Sequence, residues 1–438
     1  MVAWCAVSLV ASRVTPLWAD EVGDLKQQLQ HMQQTMQAME QKIERLESQQ
    51  SRSASVSQVG ADAATGALGS EKPAASTLQL PSGLSGVTLS GFTDVSYIYN
   101  FSAADSGTGR TNRGRLFDRQ SNAFTPHAVE LTLAKPLTAD SPIGFQTNLY
   151  FGDDAEVMHS TGLGTGGSPS DLVDLNQAFV SVRAPVGEGL DFKLGKFSTL
   201  LGAEVTPSPE NWNFSRSFLF TYAEPGTHTG ALATYPLSSW GSVSAGVVNG
   251  WDIVDENNKA KSLLGGITVN PTEAISLTTN LITGAERTKD NRNDRTVVDL
   301  VATWKAMERL TLMANYDYGH ESSLTQGLGT PGPDSANWQG LALYSKYDLT
   351  KKWALAGRFE WFDDMDGVRT AFTGLDGGAF RDLALYEWTL TSQWILHEHL
   401  LARLEYRHDK ADERVFFRNS AGFTSYQDTA SLELIARF

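Results

Sequence analysis

Charged side chains recur at every second position late in the chain: Arg358 and Glu360, then Glu387, then Arg403, Glu405 and Arg407, then Glu433 and Arg437. Apolar or aromatic residues fill the gaps, among them Phe359, Trp361, Leu404, Tyr406, Leu432 and Leu434. A period of two sends alternate residues to opposite faces of a strand, so the charges share one face and the greasy groups the other. The chemistry on offer is electrostatic. Its plainer use is structural, as cross-strand ion pairs that keep a sheet in shape. Its functional use is an arginine-rich wall of Arg358, Arg403, Arg407, Arg183 and Lys193 opposite an acidic loop. That pairing sets up a transverse field that orders water and orients polar solutes. The two uses are compatible, and a list so balanced in sign does not give a charge preference.

The acidic loop is 198–226, with Glu204, Glu210, Asn211, Asn213, Arg216 and Glu224 set among Trp212, Phe214, Phe218, Phe220 and Tyr222. A solvated loop rarely holds so many large apolar groups, and something must bury them. The expectation is a loop folded inward, its apolar side resting on the wall; the alternative is a cap packed on neighbouring loops. Elsewhere the signals are weaker. His397-Glu398-His399 lies on a short turn with its rings in oppositely facing positions, which suits a solvated turn better than a metal. Asp363-Asp364-Met365-Asp366-Gly367 departs from the spacing of a calcium loop and reads as an ordinary acidic loop. No serine sits in a nucleophile setting and the histidines are scattered, so no catalytic residue, metal or cofactor is assigned.

The elements that position these residues follow from the same period. Beginning with Val87, Leu89, Gly91, Thr93, Val95, Tyr97 and Tyr99 on one face, alternating stretches recur near 126–135, 143–152, 175–184, 189–197, 227–236, 240–251, 262–270, 274–284, 295–305, 309–319, 338–348, 352–363, 382–396, 399–409 and 426–438. Each is roughly ten residues, the length a tilted strand needs to cross a bilayer. The connections alternate long and short throughout. That rhythm belongs to an antiparallel barrel with short turns on one rim and long loops on the other. Outward aromatics split the same way: Tyr97, Tyr99, Tyr318, Trp361 and Tyr406 near the loop ends, Trp240, Trp304, Tyr347, Trp353, Trp394 and Phe438 near the turn ends. The fold class is therefore all-β and transmembrane, an up-and-down barrel of about 16 strands over 86–438. Charges facing lipid at mid-depth cost about 2–4 kcal/mol each, so the charged face must be the wet, inner one.

Before the barrel the style differs. Residues 1–19 read as a secretory signal with cleavage after Ala19, although the stretch before its apolar run lacks Lys and Arg. The only cysteine, Cys5, lies inside it. Residues 20–47 carry a heptad seam, Leu25, Leu29, Met32, Met36, Met39, Ile43 and Leu46, that specifies a coiled coil. Residues 48–85 are Ser, Ala, Gly and Gln with little to bury, a flexible linker. A net charge of −15 argues against nucleic acid. No apolar run reaches the ~18–20 residues of a spanning helix, which says nothing against a barrel.

Several motifs carry a likeness. GLDFKLGKFSTLLGAEV (189–205), NWNFSRSFLFTYAEPGTHTGALATY (211–235), VVNGWD (247–252), RFEWFDD (358–364), LEYRHD (404–409) and the strand ending in Phe438 resemble, in that order, the OmpL-like β-barrel porin-2 family. More distantly they resemble sixteen-stranded carbohydrate-selective and other substrate porins, some of which bear a periplasmic coiled coil. The resemblance implies a bacterial outer-membrane diffusion channel for small hydrophilic solutes, a homotrimer, with 198–226 as the constriction and the coiled coil in the periplasm. Its partners would be outer-membrane lipid and lipopolysaccharide; the cluster Arg110, Arg113, Arg115 and Arg119 in the first long loop suits either lipopolysaccharide phosphates, the channel entrance or plain solvation. Two other readings stand beside it: a tether that reaches a periplasmic partner or peptidoglycan through the coiled coil, and a barrel enzyme such as a phospholipase or protease.

Overall fold

The computed structural model describes residues 86–102, 111–138, 141–163, 172–237, 240–322, 334–372, 382–418 and 422–438. The signal segment, coiled-coil seam, linker and Arg110 lie outside them. Eighteen strands follow in chain order: β1 (Thr88–Asn100), β2 (Ala123–Lys135), β3 (Ile143–Phe151), β4 (Val173–Ala184), β5 (Leu190–Ser198), β6 (Thr227–Pro236), β7 (Gly241–Val248), β8 (Ser262–Thr272) and β9 (Ile275–Ala285). Then come β10 (Asp294–Met307), β11 (Leu310–Ser322), β12 (Ser335–Thr350), β13 (Trp353–Asp364), β14 (Leu383–His397), β15 (Leu400–Ala411), β16 (Phe416–Phe417), β17 (Phe423–Thr424) and β18 (Tyr426–Arg437). Strands β1 to β15 pair in sequence, each antiparallel to the next, and β18 joins β15 to β1, so sixteen strands close a barrel. The pair β16–β17 is a small hairpin within the last long loop. A short helix, α1 (Asp153–Met158), sits in the second long loop.

Closure follows from the pairing of backbone groups. A barrel has no edge, so no N–H or C=O row is left facing a medium that cannot bond it. The register is pinned by the two faces, because a one-residue slip would turn every side chain over. The faces are sharply different. On β13, Arg358, Glu360, Phe362 and Asp364 are buried while Trp353 and Phe359 are exposed; on β15, Arg403, Glu405, Arg407 and Asp409 are buried while Leu404 and Tyr406 are exposed. Charge inside and grease outside is the inverse of a water-soluble sheet.

Several strands run past their expected ends. β12 covers Ser335–Thr350 where alternation marks only 338–348, and β10 covers Asp294–Met307 where it marks 295–305. The ladder of backbone bonds continues beyond the apolar band, where both faces meet polar surroundings and the side-chain signal disappears.

One close approach is a sharp constraint. Gly319 on β11 pairs with Trp338 on β12, and a Cβ at Gly319 would fall 1.9 Å from the indole. Trp338 is fully buried and donates Nε1–H to Ala223 O at 3.2 Å. Gly319→Ala is expected to dislodge it and destabilise the barrel by about 1–3 kcal/mol. Urea unfolding from detergent or vesicles reads this as a lowered midpoint; an unchanged midpoint would mean that the indole has room to shift.

Candidate functional site

The segment between β5 and β6, 199–226, holds more of the barrel's buried polar chemistry than any comparable stretch among the described residues. It contains a 3-10 turn (Ser208–Glu210) and a π-helical turn (Leu219–Ala223). Its apolar residues Leu201, Phe218, Leu219 and Ala223 form one cluster with Leu232 of β6, Val248 of β7, Leu264 of β8 and Ile282 of β9, joined by Trp338, Tyr344 and Phe362. At about 25 cal/mol per Å² of apolar surface removed from water, this burial helps to hold the segment.

Its polar groups bond to the charged face. Glu360 accepts from Phe218 N and Leu219 N, both at 2.6 Å, which satisfies the free N–H groups at the start of the π-helical turn. Glu405 does the same for Phe214 N at 2.7 Å and Ser215 N at 3.0 Å, and also accepts from Thr391 Oγ1. Arg358 reaches Glu204 Oε1 and Glu387 Oε1, each at 2.5 Å, and donates to Ser215 O. Arg403 pairs with Glu433 at 3.0 Å and donates to Ser208 O and Asn211 O, while Ser208 Oγ donates to Glu433 Oε1. Arg407 lies between Asp409 (2.7 Å) and Glu387 (3.4 Å) and donates to Arg216 O. Arg115 continues the series by pairing with Asp409 at 2.6 Å and with Asp118. At the segment's far end Asp252 accepts from Gly226 N and Thr227 N; burial raises its carboxyl above the ordinary range, and the Thr227 N–H partly offsets that.

The expected site residues thus divide. Glu204, Asn211, Asn213, Arg216 and Glu224 are all buried, whereas Glu210 is exposed. Arg216 is an internal clamp, donating to Val205 O, Thr206 O and Phe214 O and stacked over Phe117. Asn211 closes a turn on Val205, and Asn213 donates to Thr391 Oγ1. Of the wall residues, Arg358, Glu360, Arg403, Glu405, Arg407 and Glu433 are buried together. Arg183 and Lys193 are not among them: Arg183 pairs with Asp191 near the turn rim, and Lys193 is exposed beside the Phe179 ring. The arrangement of an arginine wall opposite an acidic loop is corrected in one respect. Arg358 and Glu204 touch, with no gap between them, because desolvated opposite charges gain most at contact.

Other candidates also find places. Arg115 is buried in ion pairs, and Arg119 pairs with Asp153 and Glu156 of α1; Arg113 donates to Val415 O. Arg115 is thus not a plain solvated loop residue, whereas Arg119 keeps part of its surface exposed in its pairs with α1. Asp364 accepts from Val368 N, Arg369 N and Thr370 N, which is a turn cap. His397 and His399 sit on the turn, His399 bonded to Arg437 O. One constellation was missed. Ser96 Oγ lies 2.7 Å from His127 Nε2, and His127 Nδ1 lies 3.3 Å from Asp154 Oδ1. Alternation places Ser96 and His127 on the inner face, but nothing in the sequence pairs them. All three are buried, and His127 Nδ1 lacks hydrogen-bond geometry to the acid.

Residues 86–438 match the model of the family described as "Putative beta-barrel porin-2, OmpL-like". The chain belongs to that family. Among curated proteins none matches it. The solved structures similar to this porin-family chain include an anion-selective porin from Comamonas acidovorans, at 11% identity and a TM-score of 0.52, covering 80% of this chain and 99% of that one. Salmonella typhi OmpF in complex with daunomycin gives 12% identity and a TM-score of 0.52, with 80% and 97% covered. In-vitro folded OmpT of Vibrio cholerae, in its trimer form, gives 10% and 0.51, with 80% and 99% covered. At such identities the likeness is one of fold: a closed barrel of the bacterial outer membrane.

Proposed function

We propose that the chain forms a water-filled diffusion channel for small hydrophilic solutes across the outer membrane, with 199–226 as its constriction. The observation that carries this reading is the bonding of that segment to inward charges from three strands, Glu360 and Arg358 of β13, Glu405, Arg403 and Arg407 of β15, and Glu433 of β18. A segment fixed to the inner wall takes up cross-section that solutes would otherwise use. Within it, Glu210 is the exposed acid that passing ions would meet, with Lys193 and Arg183 lining the wall toward the turn rim. A homotrimer is proposed too, in line with the Vibrio cholerae OmpT structure described as a trimer form. Residues 20–47 are proposed as a periplasmic coiled coil on the strength of their heptad seam.

Replacing 203–224 by a short Gly-Ser link tests the constriction in planar bilayers. Single-channel conductance is expected to rise several-fold and larger neutral solutes to pass. Equal conductance in both proteins would remove the constriction from the account, and absence of stepwise openings in the unaltered protein would remove the channel.

A further inference from the structure

The segment's C-terminal end contains a group of carboxylates that none of the ion pairs above uses. Glu224 follows the π-helical turn, Asp299 lies at the middle of β10, and Asp317 faces it from β11. One carboxylate oxygen from each comes within 4.8 Å of the others, and all three side chains are buried, Asp299 and Asp317 completely. Three such charges in a desolvated place are unfavourable by themselves, and among the described residues no Lys or Arg forms an ion pair with any of them. Arg369, which reaches the same end of the segment, donates to Tyr222 O.

The hydrogen bonds around the group are those of an oriented ligand set. Asn280 Nδ2 donates to Asp299 Oδ2 and Asn315 Nδ2 to Asp299 Oδ1, both at 2.7 Å, so both oxygens of that carboxylate are held in orientation. Glu224 Oε2 and Asp317 Oδ2, by contrast, are buried without any hydrogen-bond partner. A proton shared between the two aspartates would neutralise one charge yet still leave Glu224 Oε2 without a partner. The backbone also makes room for the glutamate. Gly202 adopts φ +90°, and a Cβ there would fall 2.2 Å from both Glu224 carboxylate oxygens. Only a residue without a side chain lets the two meet.

We propose that Glu224, Asp299 and Asp317 bind a hard divalent cation of the calcium class, which fastens the end of segment 199–226 to β10 and β11. Oxygen-only donors of high charge select such an ion over softer metals. The cation joins a residue of the segment to two residues of the wall, so it couples metal occupancy to the segment's position. The site does not depend on the channel reading, because binding is measured without any conductance.

Terbium is the probe, a hard cation of similar size whose emission is sensitised by a nearby indole. Trp338, bonded to the carbonyl of the residue before Glu224, is well placed to serve. The full chain, folded in detergent and stripped with chelator, is titrated with Tb³⁺ under excitation of tryptophan. Saturable emission that calcium reverses is expected, weakened at least about tenfold in affinity by Glu224→Gln and abolished in the Asp299→Asn/Asp317→Asn double variant. Asp153→Asn, in a separate acidic group on α1, is expected to leave the titration unchanged. If the double variant fails to fold by circular dichroism, the Glu224→Gln comparison decides alone. Emission equal in the unaltered chain and Glu224→Gln, or no calcium-reversible emission in the unaltered chain, overturns the proposal and leaves the three acids neutralised by protons.

Discussion

Replacing Arg358 by alanine is expected to lower the stability of the barrel by about 3–5 kcal/mol. Arg358 is buried, and its guanidinium bonds to Glu204, Glu387, Ser215 O and Ser215 Oγ. Truncation leaves two buried glutamates with no counter-charge from β13, and their desolvation is no longer offset. Arg407 still reaches Glu387, so Glu204 is the group left in the worse position. Arg358→Lys keeps the charge but not the planar fork that serves four acceptors, and is expected to recover only part of the loss. Urea unfolding in detergent, followed by tryptophan fluorescence, measures both variants. A loss below about 1 kcal/mol for alanine would place the pair among solvent-screened ion pairs and would mean that water reaches the junction freely.

The second large effect concerns the outer face. Leu390 lies at the middle of β14, exposed, beside Gly357 at the middle of β13 and across from Tyr406, which the structure puts at the middle of β15 and not near its loop end. Leu390→Arg is expected to destabilise the barrel in lipid vesicles by about 2–4 kcal/mol. Leu396→Arg, equally exposed but near the turn end of the same strand, is expected to cost only about 0–1 kcal/mol. The difference between the two variants is the informative quantity. A water-facing surface would treat them alike, and equal costs would show that the apolar face does not meet lipid at mid-depth.

How much of this was legible in the sequence depends on how sharply two media differ. Strand β18 could be read from Leu432, Leu434 and Ala436 alternating with Ser431, Glu433 and Arg437 because lipid and water select opposite residues at every step. The same alternation sorted Arg358, Glu360, Arg403, Glu405 and Arg407 to the inner face. It did not say whom they touch. Arg358 and Glu204 are 154 residues apart, and segment 199–226 has no period from which a partner could be inferred. Its five aromatic residues announced only that a surface was needed. Alternation puts Asp299, Asp317, Asn280 and Asn315 on the inner face as well, but only as separate polar residues, with nothing to single them out. Their meeting with Glu224 depends on the path of the segment, which a single sequence does not contain. Ser96 and His127 were hidden for another reason: a bulge between Asp94 and Val95 sets the offset of β1 against β2, and short-range patterns do not locate bulges.

The seam between β1 and β18 has a kinetic meaning. Gly91 and Phe438 exchange both backbone bonds, at 3.1 and 3.0 Å, and Asn100 lies across from Thr429. Every other strand in the wall finds a neighbour adjacent in sequence, apart from the short detour of β16 and β17, whereas this joint unites the two extremes of the cylinder. It closes the longest loop in the wall, so its closure carries the largest loop entropy, and it is expected to form late. Until then two raw borders of unsatisfied peptide groups exist at once, and a hydrocarbon medium rejects both. A chain that stops before Tyr426 is therefore expected to lack a stable form in the bilayer, which the yield of folded, membrane-inserted truncated protein would measure.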